Sequence, residues 1–191
     1  MRSAPGQMRI VAGKARGTKI DAPEGLATRP VTDKIRSALF NIWQREFPGC
    51  RFLDLFSGSG SMGLEADSRG AQRVVMVEKS PAACRVIENN LKKIHAENDN
   101  VALLNQDVFD VLPALKEKFD IVYLDPPYTV DEIFLPVMEA VAAADILADD
   151  GQVVIRTHKE KQMPDTFGDL EKYREKSYGI STVHFYAKKD A

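Results

Sequence analysis

The tetrapeptide Asp125-Pro126-Pro127-Tyr128 is the densest concentration of chemistry in this 191-residue chain. Two successive prolines fix φ and remove two N–H donors, leaving a rigid turn whose carbonyls point outward. The Asp125 carboxylate and the Pro126 carbonyl are then two acceptors for the hydrogens of one planar NH2 group. Tyr128 offers a face for base stacking, worth about 1–3 kcal/mol. An exocyclic amine is a poor nucleophile because its lone pair is delocalised into the ring. Holding both hydrogens draws the nitrogen toward tetrahedral geometry and aims the lone pair at an electrophile. Positioning then supplies most of the rate, and Asp125 takes the departing proton. Asp125, Pro126, Pro127 and Tyr128 are the candidate catalytic set.

A second motif supplies the place for a donor. Gly58, Gly60 and Gly63 form a G-x-G-x-x-G in "LDLFSGSGSMGLEA", between an apolar run and a helical stretch. Glycines there allow a tight turn and let backbone N–H groups approach a ligand. Glu78 lies twenty residues past Gly58 at the end of the next apolar run, where a carboxylate can accept from both hydroxyls of an adenosine ribose. The segment from Ser57 to Gly63 has no lysine, and Asp54 precedes it. An anion there repels pyrophosphate and suits an ammonium group. S-adenosylmethionine carries an ammonium and a sulfonium, so charge balance favours it over a nicotinamide dinucleotide. The alternative for Asp54 is a satisfied carboxylate at a strand end.

These residues need a scaffold that brings them together. The runs Phe52–Phe56, Val74–Glu78, Val101–Leu104, Ile121–Leu124 and Val153–Ile155 alternate with helical or polar segments. Ser80-Pro81 starts one helix, with Ala83, Ile87, Leu91 and Ile94 on one face; Phe134, Val137, Met138 and Val141 mark another. The pattern predicts a doubly wound α/β fold with a mostly parallel sheet. In such a sheet the Ile121–Leu124 strand emerges beside the first across the switch point, so Asp125 faces the glycine loop. "YREKSYGISTVHFYAKK" reads as two strands joined at Gly179, an antiparallel hairpin ending the sheet. Upstream, Arg9–Ala12 and Thr18–Asp21 flank a glycine-bounded turn as a basic hairpin. From Thr32, a candidate N-cap, to Glu46 the apolar positions fall at helical spacing, with Lys34, Arg36 and Arg45 outward.

The formal net charge of -2 conceals an asymmetry. Residues 1–50 carry nine Lys/Arg against four Asp/Glu, a net of +5; residues 51–191 carry seventeen against twenty-four, a net of -7. Arg9, Lys14, Arg16 and Lys19 on the hairpin, with Arg29, Lys34 and Arg36 on the segment leading into the first helix, read as a phosphate-binding footprint for RNA. Single-stranded or loop RNA is favoured, because a paired amine is out of reach until its base swings out. Cys50 and Cys84 have neither ligand spacing nor a disulfide framework, and His95, His158 and His184 are scattered; no metal site is expected. No apolar run approaches the roughly 18 residues of a membrane span. A cytoplasmic monomer is the expectation.

The stretch "LDLFSGSGSMGLEADSRGA" with "YLDPPY" resembles the class I S-adenosylmethionine-dependent amino-methyltransferases. "MRIVAGKARGTKI" and "TRPVTDKIRSALFNIW" narrow the resemblance to the RsmD family of bacterial 16S rRNA guanine-N2 methyltransferases. It implies a seven-stranded sheet with a reversed final strand, S-adenosylmethionine as cofactor, and 16S rRNA, naked or within a small-subunit assembly intermediate, as partner. By position it implies that Asp54, Phe56, Gly58 and Gly60 line the methionine half of the cofactor, with Ser57 and Gly63 also in the cofactor-binding set. Glu78 falls to its ribose, with Lys79 also in the cofactor-binding set, Asp107 and Val108 to its adenine, and Thr32 to the segment with Thr28, Arg29 and Pro30 that closes over it. Three parts are expected: residues 1–7, which show no pattern, disordered or non-native, 8–31 a basic hairpin and linker, and 32–191 the class I methyltransferase domain. One departure is visible. Arg156-Thr157-His158 stands after the fifth strand where relatives would carry an acidic residue, a difference expected to touch the substrate-side loop and leave the catalytic residues alone. The D-P-P-Y geometry by itself also accommodates adenine N6 of DNA or RNA, and a third class, a noncatalytic RNA- or NAD-binding protein, is disfavoured by the intact Asp125 and Glu78.

Overall fold

The computed structural model describes residues 7–24, 33–96, 100–127 and 130–190. In chain order the elements are β1 (Gln7–Arg9), β2 (Lys19–Asp21), α1 (Asp33–Ile42), β3 (Arg51–Leu55), α2 (Ser61–Ser68), β4 (Arg73–Val77), α3 (Pro81–Lys93), β5 (Val101–Leu104), α4 (Val108–Val111), β6 (Phe119–Leu124), α5 (Phe134–Ala143), β7 (Leu147–His158), β8 (Thr166–Phe167), β9 (Leu170–Tyr178) and β10 (Ser181–Lys188). Among the described residues, eight strands form one sheet in the order β5-β4-β3-β6-β7-β10-β9-β8. From β5 to β7 neighbours are parallel; β10 enters antiparallel between β7 and β9. The two-residue β8 at the edge adds a strand to the seven expected. Strand order reverses between β3 and β6, which is the predicted switch point.

Alternation along the buried parallel strands sorts their side chains into two cores. Phe52, Val74, Met76, Ile121, Tyr123 and Val154 pack against Leu39, Phe40 and Trp43 of the α1 region, Met62 and Ala66 of α2 and Ile87 of α3. Leu53, Leu55, Val75, Val77, Val122, Leu124, Val153 and Ile155 face α4 and α5 instead. Helices therefore cover both faces, and each strand reads as a near-continuous apolar run. No helix among the described residues is long and apolar enough to cross a membrane.

The basic hairpin is docked, with Ile10, Ala15 and Ile20 packed against Leu64, Ile94 and Ala96. α2 is consequently buried on every side. The β1–β2 ladder starts at Gln7 and ends at Arg9, shorter and earlier than Arg9–Ala12. The reason lies in α2: the amides of Val11 and Ala12 donate to the Glu65 carboxylate at 2.8 and 3.1 Å and so leave the ladder.

Glu65 also explains why Arg36 does not face outward. Arg36 is fully buried, its Nε 3.2 Å from Glu65 Oε1 and its Nη2 donating to Asp33 and to the Arg9 carbonyl. A guanidinium buried in this way is out of reach of RNA phosphate, so the helical periodicity that placed Arg36 on the surface is overridden by the hairpin packed over it. The helix itself runs Asp33–Ile42, followed by a 3-10 turn at Gln44–Glu46; the Thr32 cap lies outside the described residues.

Candidate active site

The site sits at the carboxyl ends of β3, β4, β5 and β6. After Leu55 the chain turns through Phe56 in the left-handed region, with φ 62°. The Ser57 amide then donates to the Val77 carbonyl at 2.9 Å, tying the loop to β4. Both oxygens of Glu78 are engaged by backbone: Oε1 accepts from the Gly58 amide at 2.8 Å and Oε2 from the Ser80 amide at 2.7 Å. The carboxylate is therefore oriented in advance, and each oxygen keeps a lone pair for a further donor.

Two glycines have distinct reasons. Gly60 caps α2 at φ 80°, which an L side chain rarely adopts. A Cβ at Gly63 would lie 2.6 Å from Met76 Cγ and Sδ, so α2 rests on β4 at glycine distance. Asp54, almost wholly buried, accepts the Gly63 amide at 3.1 Å and satisfies a donor in the first turn of α2. Burial pushes its carboxyl up to about 7; the Gly63 hydrogen bond opposes the rise, and the charges of Asp125 and Glu78 add to it.

From β5, Asp107 caps α4 by accepting the Phe109 amide at 2.9 Å. From β6, the Asp125 amide reaches back to the Leu55 carbonyl at 3.4 Å, which sets the Asp125-Pro126-Pro127 turn beside the glycine loop. These ends enclose a cavity of about 590 Å³. Of the expected residues, Phe56, Gly58, Glu78, Lys79, Asp107, Val108, Asp125 and Pro127 line it. Asp54, Ser57, Gly60 and Gly63 do not; they build the loop from beneath. Pro126 is buried, and Thr32 and Tyr128 lie outside the described residues.

One residue escaped the sequence reading and another was noted but misplaced. Phe109, 41% exposed, lines the cavity next to Asp107 and Val108, where a flat ring can cover a base. Its signal was an aromatic two residues past a helix cap. The other is Arg156. Arg156, Thr157 and His158 belong to β7 rather than to a loop after it. Arg156 Nη2 lies 2.8 Å from Asp125 Oδ2, and Nε 3.1 Å from both Oδ1 and Oδ2. The departure noted in the sequence thus bears directly on the candidate catalytic carboxylate. Burial raises the Asp125 carboxyl above its ordinary range, and the Arg156 charge and hydrogen bonds oppose that rise.

The basic residues gather elsewhere. Arg9, Arg16 and Lys34 line a groove of about 390 Å³ between the hairpin and α1, and Lys19 is exposed on β2. Lys14 stands 3.3 Å from Asp67, and Arg29 lies outside the described residues. Asn90 of α3 links the two regions: its Nδ2 donates to the carbonyls of Asp21 and Ser59 at 2.9 and 3.1 Å, and its Oδ1 accepts the Asp21 amide at 2.9 Å.

A family model described as Conserved hypothetical protein 95 matches residues 8–187. YlbH of Bacillus subtilis (strain 168), which carries the provisional name of an rRNA methyltransferase, is 33% identical over 184 residues, 95% of this chain and 100% of that protein. Ribosomal RNA small subunit methyltransferase D of Escherichia coli (strain K12) is 30% identical over 186 residues, 97% of this chain and 92% of that protein. The solved structure of a hypothetical protein from Thermus thermophilus superposes with a TM-score of 0.80 at 28% identity, covering 95% of this chain and 99% of that one.

Proposed function

Since this chain belongs to the Conserved hypothetical protein 95 family, the RsmD family of the resemblance, we propose that it methylates the exocyclic N2 amine of a guanine in 16S rRNA of the small ribosomal subunit, using S-adenosylmethionine. The observation that carries the reading is the juxtaposition, around one cavity at the switch point, of an adenosine-type site, Glu78, Asp107 and Val108, with the Asp125-Pro126-Pro127 turn. The residues suit the cofactor. Glu78 keeps lone pairs for ribose hydroxyls, Phe109 and Val108 supply an apolar wall for adenine, and the carboxylates of Asp54, Glu78 and Asp125 offset two cationic groups. Lys79, 80% exposed and 3.7 Å from Asp107, flanks the mouth.

When bound, S-adenosylmethionine supplies a methyl group on a sulfonium sulfur that leaves as a neutral thioether with the bonding electron pair. The protein's contribution is placement. Asp125 and the Pro126 carbonyl take the two amine hydrogens and turn the nitrogen lone pair toward the methyl. Tyr128 gives the base a surface to stack on. Once nitrogen has bonded to carbon, its proton passes to Asp125 and on to solvent. A protonated arylamine is strongly acidic, so a weak base suffices.

Residues 8–31 act as the RNA grip and 32–191 as the methyltransferase domain. Arg9, Arg16, Lys19 and Lys34 contact phosphates without reading bases, with Lys14 and Arg29 on the same segment. The reading is tested by incubating the protein and methyl-labelled S-adenosylmethionine with naked 16S rRNA, small subunits and duplex DNA; label in the RNA supports it, and label in DNA alone refutes it.

A further inference from the structure

We propose that Arg156 is a positioning residue for methyl transfer: it pairs with the Asp125 carboxylate and keeps it turned so that Oδ1 is the oxygen offered to the target amine. The proposal rests on the amine-transfer reading above and adds to it a residue of β7, a strand that does not itself line the cavity among the described residues.

The contacts are unequal. Oδ2 receives Nη2 at 2.8 Å and Nε at 3.1 Å, whereas Oδ1 receives Nε alone at 3.1 Å. A carboxylate has about four lone-pair positions, so Oδ1 keeps the greater capacity. Arg156 is itself fixed, 3% exposed and with Nη1 donating to Ser181 Oγ of β10 at 3.2 Å. A planar fork gripping both oxygens removes rotation about the Asp125 side chain, which a point cation cannot do.

Charge gives the second reason. Asp125 lines the cavity from a nearly buried position, 12% exposed, and burial alone favours its neutral acid. A protonated carboxyl presents a hydroxyl where an acceptor is needed and loses its grip on an NH2 group. The guanidinium, which does not itself line the cavity, opposes that protonation. A buried ion pair is seldom more stabilising than an apolar pair of the same shape, so fold stability alone is a weak reason for placing one at this position.

The test uses the full chain with Arg156→Lys and Arg156→Leu, each first shown to bind S-adenosylmethionine like the parent. In Arg156→Leu the acidic limb of the kcat profile moves up by about one pH unit or more, and the Asp125 carboxyl carbon, followed by 13C NMR in the ligand-free protein, titrates correspondingly higher. Arg156→Lys folds with its charge in place; it keeps the acidic limb but loses about tenfold or more in kcat with KM for RNA unchanged, because a single ammonium does not fix the carboxylate plane. Wild-type kcat and pH profile in Arg156→Lys, or an unmoved Asp125 titration in Arg156→Leu, overturns the proposal. Wild-type protein inert toward rRNA would overturn the functional reading instead, and the carboxyl titration still judges Arg156.

Discussion

The carboxylate of Asp125, one residue past the end of β6, meets the guanidinium of Arg156 within the neighbouring parallel strand β7, Nη2 2.8 Å from Oδ2. Register puts them there: Leu124 pairs with Ile155, so the next step along each strand sets Asp125 beside Arg156. A carboxylate placed in this way is both poised and protected, and the expected behaviour of the site follows from it.

Asp125→Asn is expected to lower kcat by about 10²–10⁴-fold, the usual contribution of a positioned acid or base. S-adenosylmethionine affinity stays within a few-fold, because Glu78 and the glycine loop are untouched. Single-turnover assays with calorimetric binding separate the two.

Binding of S-adenosylmethionine near pH 7 is expected to release protons. Asp54 is held up to about 7 by burial, with Asp125 and Glu78 adding repulsion. Two positive charges arriving beside these carboxylates favour the ionised form, which lowers the Asp54 value and expels its proton. Titration calorimetry in buffers of different ionisation enthalpy reads the release directly, and Asp54→Asn removes it.

Arg16→Ala combined with Lys34→Ala is expected to weaken RNA binding and to shrink the salt dependence, log K against log salt, by about 1.4 for a single strand, about 0.7 for each lost phosphate contact. Turnover at saturating RNA is preserved. Filter binding across a salt series provides the slope.

Glu65→Ala is expected to cost about 3–5 kcal/mol, because it strands the buried Arg36 guanidinium and frees the amides of Val11 and Ala12. Urea unfolding measures the loss. If Arg36 were instead an RNA contact, its own removal would change the salt slope and leave stability alone.

Phe109→Ala is expected to weaken S-adenosylmethionine binding by about 1–3 kcal/mol through lost stacking on adenine, while kcat at saturation changes little.

Much of this was readable in residue order. The five parallel strands, the Ser80-Pro81 start of α3 and the placement of Asp125 opposite the glycine loop follow from apolar runs, caps and strand order, because these are local signals or topological rules. Arg36 was misplaced because helical periodicity reports one face of one helix, and the hairpin covering the other face is a tertiary fact. The hairpin strands were misjudged for a related reason: a side chain from α2 competes for their amides. Asp54 reads in sequence either as a carboxylate for the cofactor's ammonium or as a satisfied strand-end carboxylate, and the structure shows its place beneath the loop, with its Oδ2 accepting the Gly63 amide. Arg156 had a legible signal in hindsight. "IVYLD" and "VVIR" place opposite charges at equivalent steps of two adjacent strands, and only the assumption that β7 stops at Ile155 hid the pair.

The assignment stands or falls most directly on the identity of the methylated nucleoside. Small-subunit RNA incubated with the protein and methyl-labelled S-adenosylmethionine, digested to nucleosides and separated by chromatography with mass detection, is expected to yield labelled N2-methylguanosine, and Asp125→Asn is expected to abolish it. Label in N6-methyladenosine, or in no nucleoside at all, would contradict it.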